Sequence, residues 1–124
     1  MKRVVLKVET EQDFFQRGKT LARLADQGQP LPEEQTISFG DPADMLRLLT
    51  ASRLDVLRAV KEAPGSITVI AERLRRDRSA VKRDVDQLAQ AGMVTIESKV
   101  HPGHGRMKEV RAAAQRFRVE AMVI

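Results

Sequence analysis

Two apolar stripes of helical period, joined by a corner too short to hold any other element, constrain this chain more than anything else in it. In SITVIAERL, Ile70, Ala71 and Leu74 fall on one helical face; in AVKRDVDQLAQAG, Val81, Val85 and Leu88 stand at i, i+4 and i+7; between them lies only RRDRS. The pattern predicts two helices meeting at a tight polar corner. Thr68 is placed to cap the first, Asp77 the second, and Gly92 stands at the C-terminal end of the second. The corner is also the most basic stretch of the chain. From Arg73 to Arg83 it carries Arg73, Arg75, Arg76, Arg78, Lys82 and Arg83 against the single acid Asp77. At about 100° per residue, Arg78, Ser79, Lys82, Arg83 and Asp86 gather away from the apolar stripe, so one helix has a core face and a basic face.

The flanks complete a frame. Upstream, Leu54, Leu57 and Val60 predict a preceding helix that begins at Thr50 to Ser52 and ends at Ala63, Pro64 and Gly65. Downstream, MVTIESKV alternates Val94 and Ile96 with Thr95 and Glu97, and runs into HPGHGRMKE, a Gly/Pro-rich turn bearing Lys99, Arg106 and Lys108. Helix, helix, corner, helix, strand and basic turn, in that order, predict a winged helix-turn-helix. Phe117, Val119, Ala121 and Val123 alternate again and predict a final strand; residues 109–115 fit no pattern.

Before this frame, Val4, Leu6 and Val8 alternate with Lys7 and Glu9, which predicts a half-buried strand over residues 3–9. Thr10, three before Asp13, approximates a capping box, and Phe14, Gly18, Leu21, Ala22 and Ala25 recur at helical spacing over residues 11–27. QGQPLPEEQ reads as an exposed connector in which Glu33 and Glu34 are solubilising, Ile37 and Phe39 as a short strand, and Asp41-Pro42 as the start of a helix over 42–49. The fold class expected is α+β, mainly α: a winged helix-turn-helix core with an N-terminal strand-helix extension and a C-terminal strand. Two regions follow, an extension at 1–40 for dimerisation or partner binding and a DNA-binding domain at 41–124. Phe14 and Phe15 fit either core packing or such an interface.

Composition removes several classes of function. Four Phe with no Trp or Tyr leave little for base-stacking platforms of the RNA-binding or single-strand kind. With no Cys there is no disulfide framework and no thiolate zinc site, so a reducing cytoplasm is the expected compartment. MKRVVLKVET is too short and too charged for a secretory signal, and no apolar run approaches the roughly 20 residues that span a bilayer. His101 and His104 in HPGHG, lacking a Cys or a placed carboxylate nearby, read as a polar wing tip and not as a metal site. No nucleophile stands with a base in recognisable order and no Gly-rich phosphate loop follows a strand, so neither catalysis nor a cofactor is expected.

The net charge of +5 is informative once divided along the chain. Residues 1–65 hold ten Lys/Arg and ten Asp/Glu, residues 66–124 twelve and seven, so all of the excess lies with the helix-turn-helix and its wing. A polyanion would meet that half. The expected partner is double-stranded DNA, with Arg78, Ser79, Lys82 and Arg83 in the major groove, Arg73, Arg75 and Arg76 on backbone phosphates, and Lys99, Arg106 and Lys108 as wing contacts. Asp84 and Asp86 stand close enough in sequence to compete for Arg83.

Residues 49–97 resemble the winged helix-turn-helix core of MarR-like transcriptional regulators. The whole chain is similar to a family of small prokaryotic DNA-binding regulators often found as antitoxin-like partners of a small toxin. Leu49, Thr50, Arg53, Leu54 and Leu57 carry one signature of that family, and Arg76, Asp77, Val81, Arg83, Asp84, Val85, Leu88 and Gly92 the other. The chain departs from it at Ser79-Ala80, where aromatic or larger polar residues are usual, and at Val69, where a charge is usual. The resemblance implies an autoregulating repressor that binds DNA as a homodimer, or alternatively an antitoxin whose main activity is neutralising a toxin protein.

Overall fold

A computed structural model of the protein describes residues 2–103 and 105–123. Along them run β1 (Arg3–Val8), α1 (Glu11–Asp26), β2 (Glu34–Phe39), α2 (Pro42–Leu48), α3 (Ala51–Glu62), α4 (Ile67–Leu74), α5 (Arg78–Gln90), β3 (Val94–His101), β4 (Gly105–Ala112) and β5 (Arg116–Glu120). The fold is α+β, and α3, α4, α5 and the β3–β4 hairpin make a winged helix-turn-helix. The chain divides into two compact units, one of Met1–Arg47 with Arg116–Ile124, the other of Leu48–Gln115.

In the first unit a three-stranded sheet has the order β2-β1-β5, and both neighbours run parallel to β1. A central strand of a parallel sheet is covered on both faces, which is why Val5 is buried along with Val4 and Leu6 although simple alternation predicts a strand buried on one face only. Helix α1 starts where Thr10 Oγ1 accepts the Asp13 N–H at 3.1 Å. It is tied down by a polar cluster: Arg17 Nη1 donates to Glu9 Oε2 at 2.6 Å, and the Ser38 hydroxyl donates to Glu9 Oε1. Burial alone would raise the Glu9 carboxyl; the Arg17 and Ser38 donors outweigh it and hold Glu9 below the ordinary carboxylate range. The connector is shorter than the sequence suggests, because Glu34 opens β2 and lies opposite Arg3 in the parallel register.

In the second unit α3 packs against α4, α5 and β4, and α5 against α4 and β3. Its core is Val56, Leu57, Val60, Ile70, Ala71, Val81, Val85, Leu88, Met93, Val94 and Val110. Thr50 Oγ1 caps α3 by accepting the Arg53 N–H. The cap of α4 is Ser66, whose Oγ accepts the Val69 N–H at 3.2 Å; Thr68, the residue expected from sequence, lies inside the first turn. The reason is non-local. Gly65 forms a two-way bridge with Val110 of β4, its N–H donating at 3.2 Å and its carbonyl accepting at 2.8 Å, and this sets where the chain leaves the sheet and enters the helix. Beyond α5, Gly92 at φ 86° takes the left-handed conformation that ends the helix.

Two further readings change. The strand after Gly92 continues to His101, and β4 resumes at Gly105 in antiparallel register from Val94↔Ala112 to His101↔Gly105, so the hairpin is long and its turn short. Residues 109–115, unplaced by sequence, are the second half of β4 and the link to β5. The final strand pairs with β1, so residues 116–124 group with the N-terminal unit and not with the helix-turn-helix; residues 41–47 group there as well.

Candidate nucleic-acid interface

The helix α5 has its rotation set by its core face. Val81, Val85 and Leu88 are fully buried, which turns Ser79, Lys82, Arg83, Asp86, Gln87 and Gln90 outward, all exposed. Asp84, between these faces, is held from α3: Ser52 Oγ donates to its Oδ2 at 2.5 Å and Arg53 Nε lies 3.3 Å from its Oδ1. That pair and the apolar stripe leave α5 one orientation.

Each expected contact residue can then be placed. Arg78 is exposed but sits at the flank, where its Nε donates to Thr68 Oγ1 on α4 at 3.1 Å. The Ser79 hydroxyl donates to the Asp77 carboxylate. This hydrogen bond, the backbone N–H groups of Ala80 and Ser79 and, less strongly, the positive charge of Arg83 together outweigh desolvation and hold Asp77 below its ordinary range. Asp77 is the residue before α5, and the first-turn N–H groups of Ser79 and Ala80 face its carboxylate. Lys82 Nζ pairs with Asp86 Oδ2 at 2.7 Å. Arg83 has neither a hydrogen bond nor an ion pair among the described residues, so the competition expected from Asp84 and Asp86 does not occur: both acids are engaged elsewhere.

The structure separates the three arginines of the corner. Arg73 Nη1 donates to the Ala63 carbonyl at the C-terminal end of α3 at 2.6 Å. Arg76 Nη2 donates to Asp55 Oδ2 at 2.7 Å and its Nη1 to the Ser52 carbonyl at 3.1 Å, which binds the corner to α3. Only Arg75 is turned out without such a partner among the described residues, and it takes the left-handed conformation at φ 53°, ψ 47°.

The wing cations do not share a face. Residues paired across an antiparallel ladder point to the same side, and successive residues alternate. Arg106 lies opposite Val100 and Lys108 opposite Ser98, on the side that carries Val94 and Val110 into the core at the hairpin base. Lys99 lies opposite Met107 on the reverse side, in an ion-pair ladder: Lys99 Nζ is 3.0 Å and Arg111 Nε 2.6 Å from Glu109 Oε1, with Glu97 beyond Arg111. Arg106 and Lys108 have no ion pair among the described residues. His101 ends β3, and His104 lies outside the described residues. Sequence reasoning passed over Gln87 and Gln90, although Arg83 plus four and plus seven would have found them on the same face. Their amides carry both donors and an acceptor, the set that adenine presents in the major groove.

Comparison with known proteins places this geometry. The sequence profile of the HVO_A0114 family matches residues 48–119, more than half of the chain. The chain belongs to the HVO_A0114 family. The part shared with the HVO_A0114 family runs from the end of α2 into β5 and takes in the whole helix-turn-helix and its wing. No curated protein matches this chain. Among solved structures it is similar to a possible transcriptional regulator from Methanosarcina mazei Go1, at 17% identity over 62% of this chain and 68% of that one, TM-score 0.49. It is similar also to the homodimeric winged helix-turn-helix DNA-binding domain, residues 1–100, of Mb0332 from Mycobacterium bovis, described as a possible ArsR-family regulator. There the identity is 16% over 86% of this chain and 75% of that one, TM-score 0.49. The transcriptional regulator SlyA matches at 21% identity over 83% of this chain and 64% of that one, TM-score 0.45.

Among the described residues no helix is long and apolar enough to cross a membrane, and no group of three or more His, Asp or Glu is placed to hold a metal ion.

Proposed function

We propose that this protein is a sequence-specific double-stranded DNA-binding transcriptional regulator, a MarR-like autoregulating repressor that acts in the cytoplasm as a homodimer on a palindromic operator. One observation carries the reading. Lys82 and Arg83, with Ser79, Gln87 and Gln90, project from the exposed face of a helix whose opposite face is locked into the core by Val81, Val85 and Leu88. A helix held in this way can enter the major groove, where Arg or Lys reads guanine and Gln reads adenine. Arg75 at the corner and Arg106 and Lys108 on one wing face then meet phosphates on either side, positioning the helix without reading sequence. Arg73 and Arg76, bound to α3, support the corner, and Lys99 belongs to the reverse face of the wing.

The test is salt-dependent binding to a promoter duplex from the protein's own gene against a scrambled duplex of equal length. Both carry the same phosphate charge, so their difference isolates base reading from counterion release. Lys82→Ala with Arg83→Ala is expected to weaken promoter binding by about 1–3 kcal/mol for each base that is no longer read. Unchanged binding would remove α5 as the reading helix.

A second reading, an antitoxin-type protein that neutralises a small toxin, would use the unburied apolar side of α1, where Phe14 and Phe15 are 50% and 62% exposed. Both readings give that surface a protein to cover it. They part on whether the protein alone is dimeric.

A further inference from the structure

The outward face of α5 carries an acid among its cations. Lys82 and Asp86 pair at 2.7 Å with side chains 54% and 48% exposed, in the middle of the face that holds Ser79, Arg83 and Gln90. As a stabilising device the pair is poorly chosen. An exposed i, i+4 pair contributes little, and an acid C-terminal to its lysine is the weaker of the two orientations. Toward a polyanion it is unfavourable, since the Asp86 carboxylate occupies Lys82 and repels phosphate. In the major groove, however, a carboxylate can accept from the N4 amino group of cytosine without meeting an acceptor on the same base, whereas the adenine N6 amino group stands beside the N7 acceptor that repels it; Lys82 once released can donate to guanine O6 or N7. The two residues are one turn apart, roughly 6 Å along the helix axis at 1.5 Å per residue, so they address different base steps.

We infer that Asp86 is a specificity-determining residue, resting on the DNA-binding function proposed above. It lowers affinity for DNA of arbitrary sequence by holding Lys82 and opposing phosphate. At a site that presents a cytosine amino group to the carboxylate, the pair opens and both side chains find partners. Discrimination then comes from repulsion at wrong sites as much as from attraction at the right one.

The experiment uses the full chain, a duplex that the wild type enriches from a random-sequence pool, and a scrambled duplex of equal length, each titrated with salt. Asp86→Asn keeps the shape and removes the charge. It is expected to bind the scrambled duplex about tenfold more tightly, to steepen the log affinity against log salt slope by about 0.9 as Lys82 gains a phosphate, and to lower the ratio of site to scrambled affinity about tenfold. The selected site is expected to lose its preference for one cytosine. A variant with the wild-type slope, ratio and site overturns the inference and leaves the DNA-binding function standing. If the wild type enriches no site, and Lys82→Ala with Arg83→Ala binds as the wild type does, the DNA-binding function itself fails and the role of Asp86 with it.

Discussion

Arg75 is, among the described residues, the one non-glycine with a positive φ, at the C-terminal cap of α4 where Gly is the usual occupant. A side chain in that conformation crowds its own carbonyl, at roughly 1 kcal/mol or somewhat more. Strain of this kind persists where the side chain has a use and the surrounding structure over-determines the backbone. Both conditions hold here. The corner is clamped from one side by Arg76 on Asp55 and Ser52, and Arg75 itself points outward with no partner among the described residues. Arg75→Gly is therefore expected to raise unfolding free energy by up to about 1 kcal/mol in urea titration. The same variant should bind DNA more weakly, with a salt slope shallower by about 0.9 because one phosphate is no longer neutralised. A stabilised variant with unaltered DNA binding would show that the residue at this corner does not touch DNA.

At the scale of elements, the sequence's helix ends were legible where the cap is local. Thr10, Asp41 and Thr50 each accept a backbone N–H two or three residues on, as their positions predict. Ser66 was missed in favour of Thr68 because two hydroxyl residues stand two apart, and only the bridge from Gly65 to Val110 chooses between them. The wing was legible as a basic hairpin, but not its length: RMKEVRAA has no clean alternation, and its alanines favour helix until β3 pairs with it. The polar clamp on α1 makes a prediction of its own. The Glu9 side chain is 3% exposed and its folded carboxyl titrates below its value in the unfolded chain, so its contribution is complete above the unfolded value of 4.5 and is lost as pH falls toward the folded one. Thermal unfolding of the N-terminal unit should lose stability between about pH 5 and 3 in the wild type. In Glu9→Gln the loss over that window should be smaller, from a lower starting point at pH 7. Equal acid sensitivity in both would place the titrating group elsewhere.

At the scale of the whole molecule, α1 poses the main question. None of its sixteen residues, all of them described, is buried: Arg17 and Leu24 are half-buried, while Phe14, Gly18, Leu21 and Ala22 stay exposed along an open groove whose other wall is Pro32 and Glu34 to Thr36 of the same unit. An amphipathic helix with its apolar side uncovered signals an interface more often than a tolerated defect. In the dimeric reading a second copy covers it, and a palindromic operator would then present one half-site to each recognition helix. Light scattering is expected to give the mass of two chains. Phe14→Ser with Phe15→Ser should give the mass of one, with DNA affinity falling by more than tenfold as the two half-sites uncouple. A wild type that is monomeric alone would instead favour the toxin-binding reading.

The sequence by itself determined the helices of the second unit, the corner between them, and the charge of the face that α5 turns outward. Those features depend on spacing along one helix and on caps two or three residues away, which any chain of this pattern must satisfy. Tertiary structure alone decided that β5 lies beside β1, that Arg73 and Arg76 are bound to α3 while Arg75 and Arg83 are turned out, and that Lys99 faces away from Arg106 and Lys108. Each of these rests on a partner ten or more residues distant or on the register of a ladder. Counting charges along the chain shows how many cations there are; only the fold shows which have already found an acid or a carbonyl.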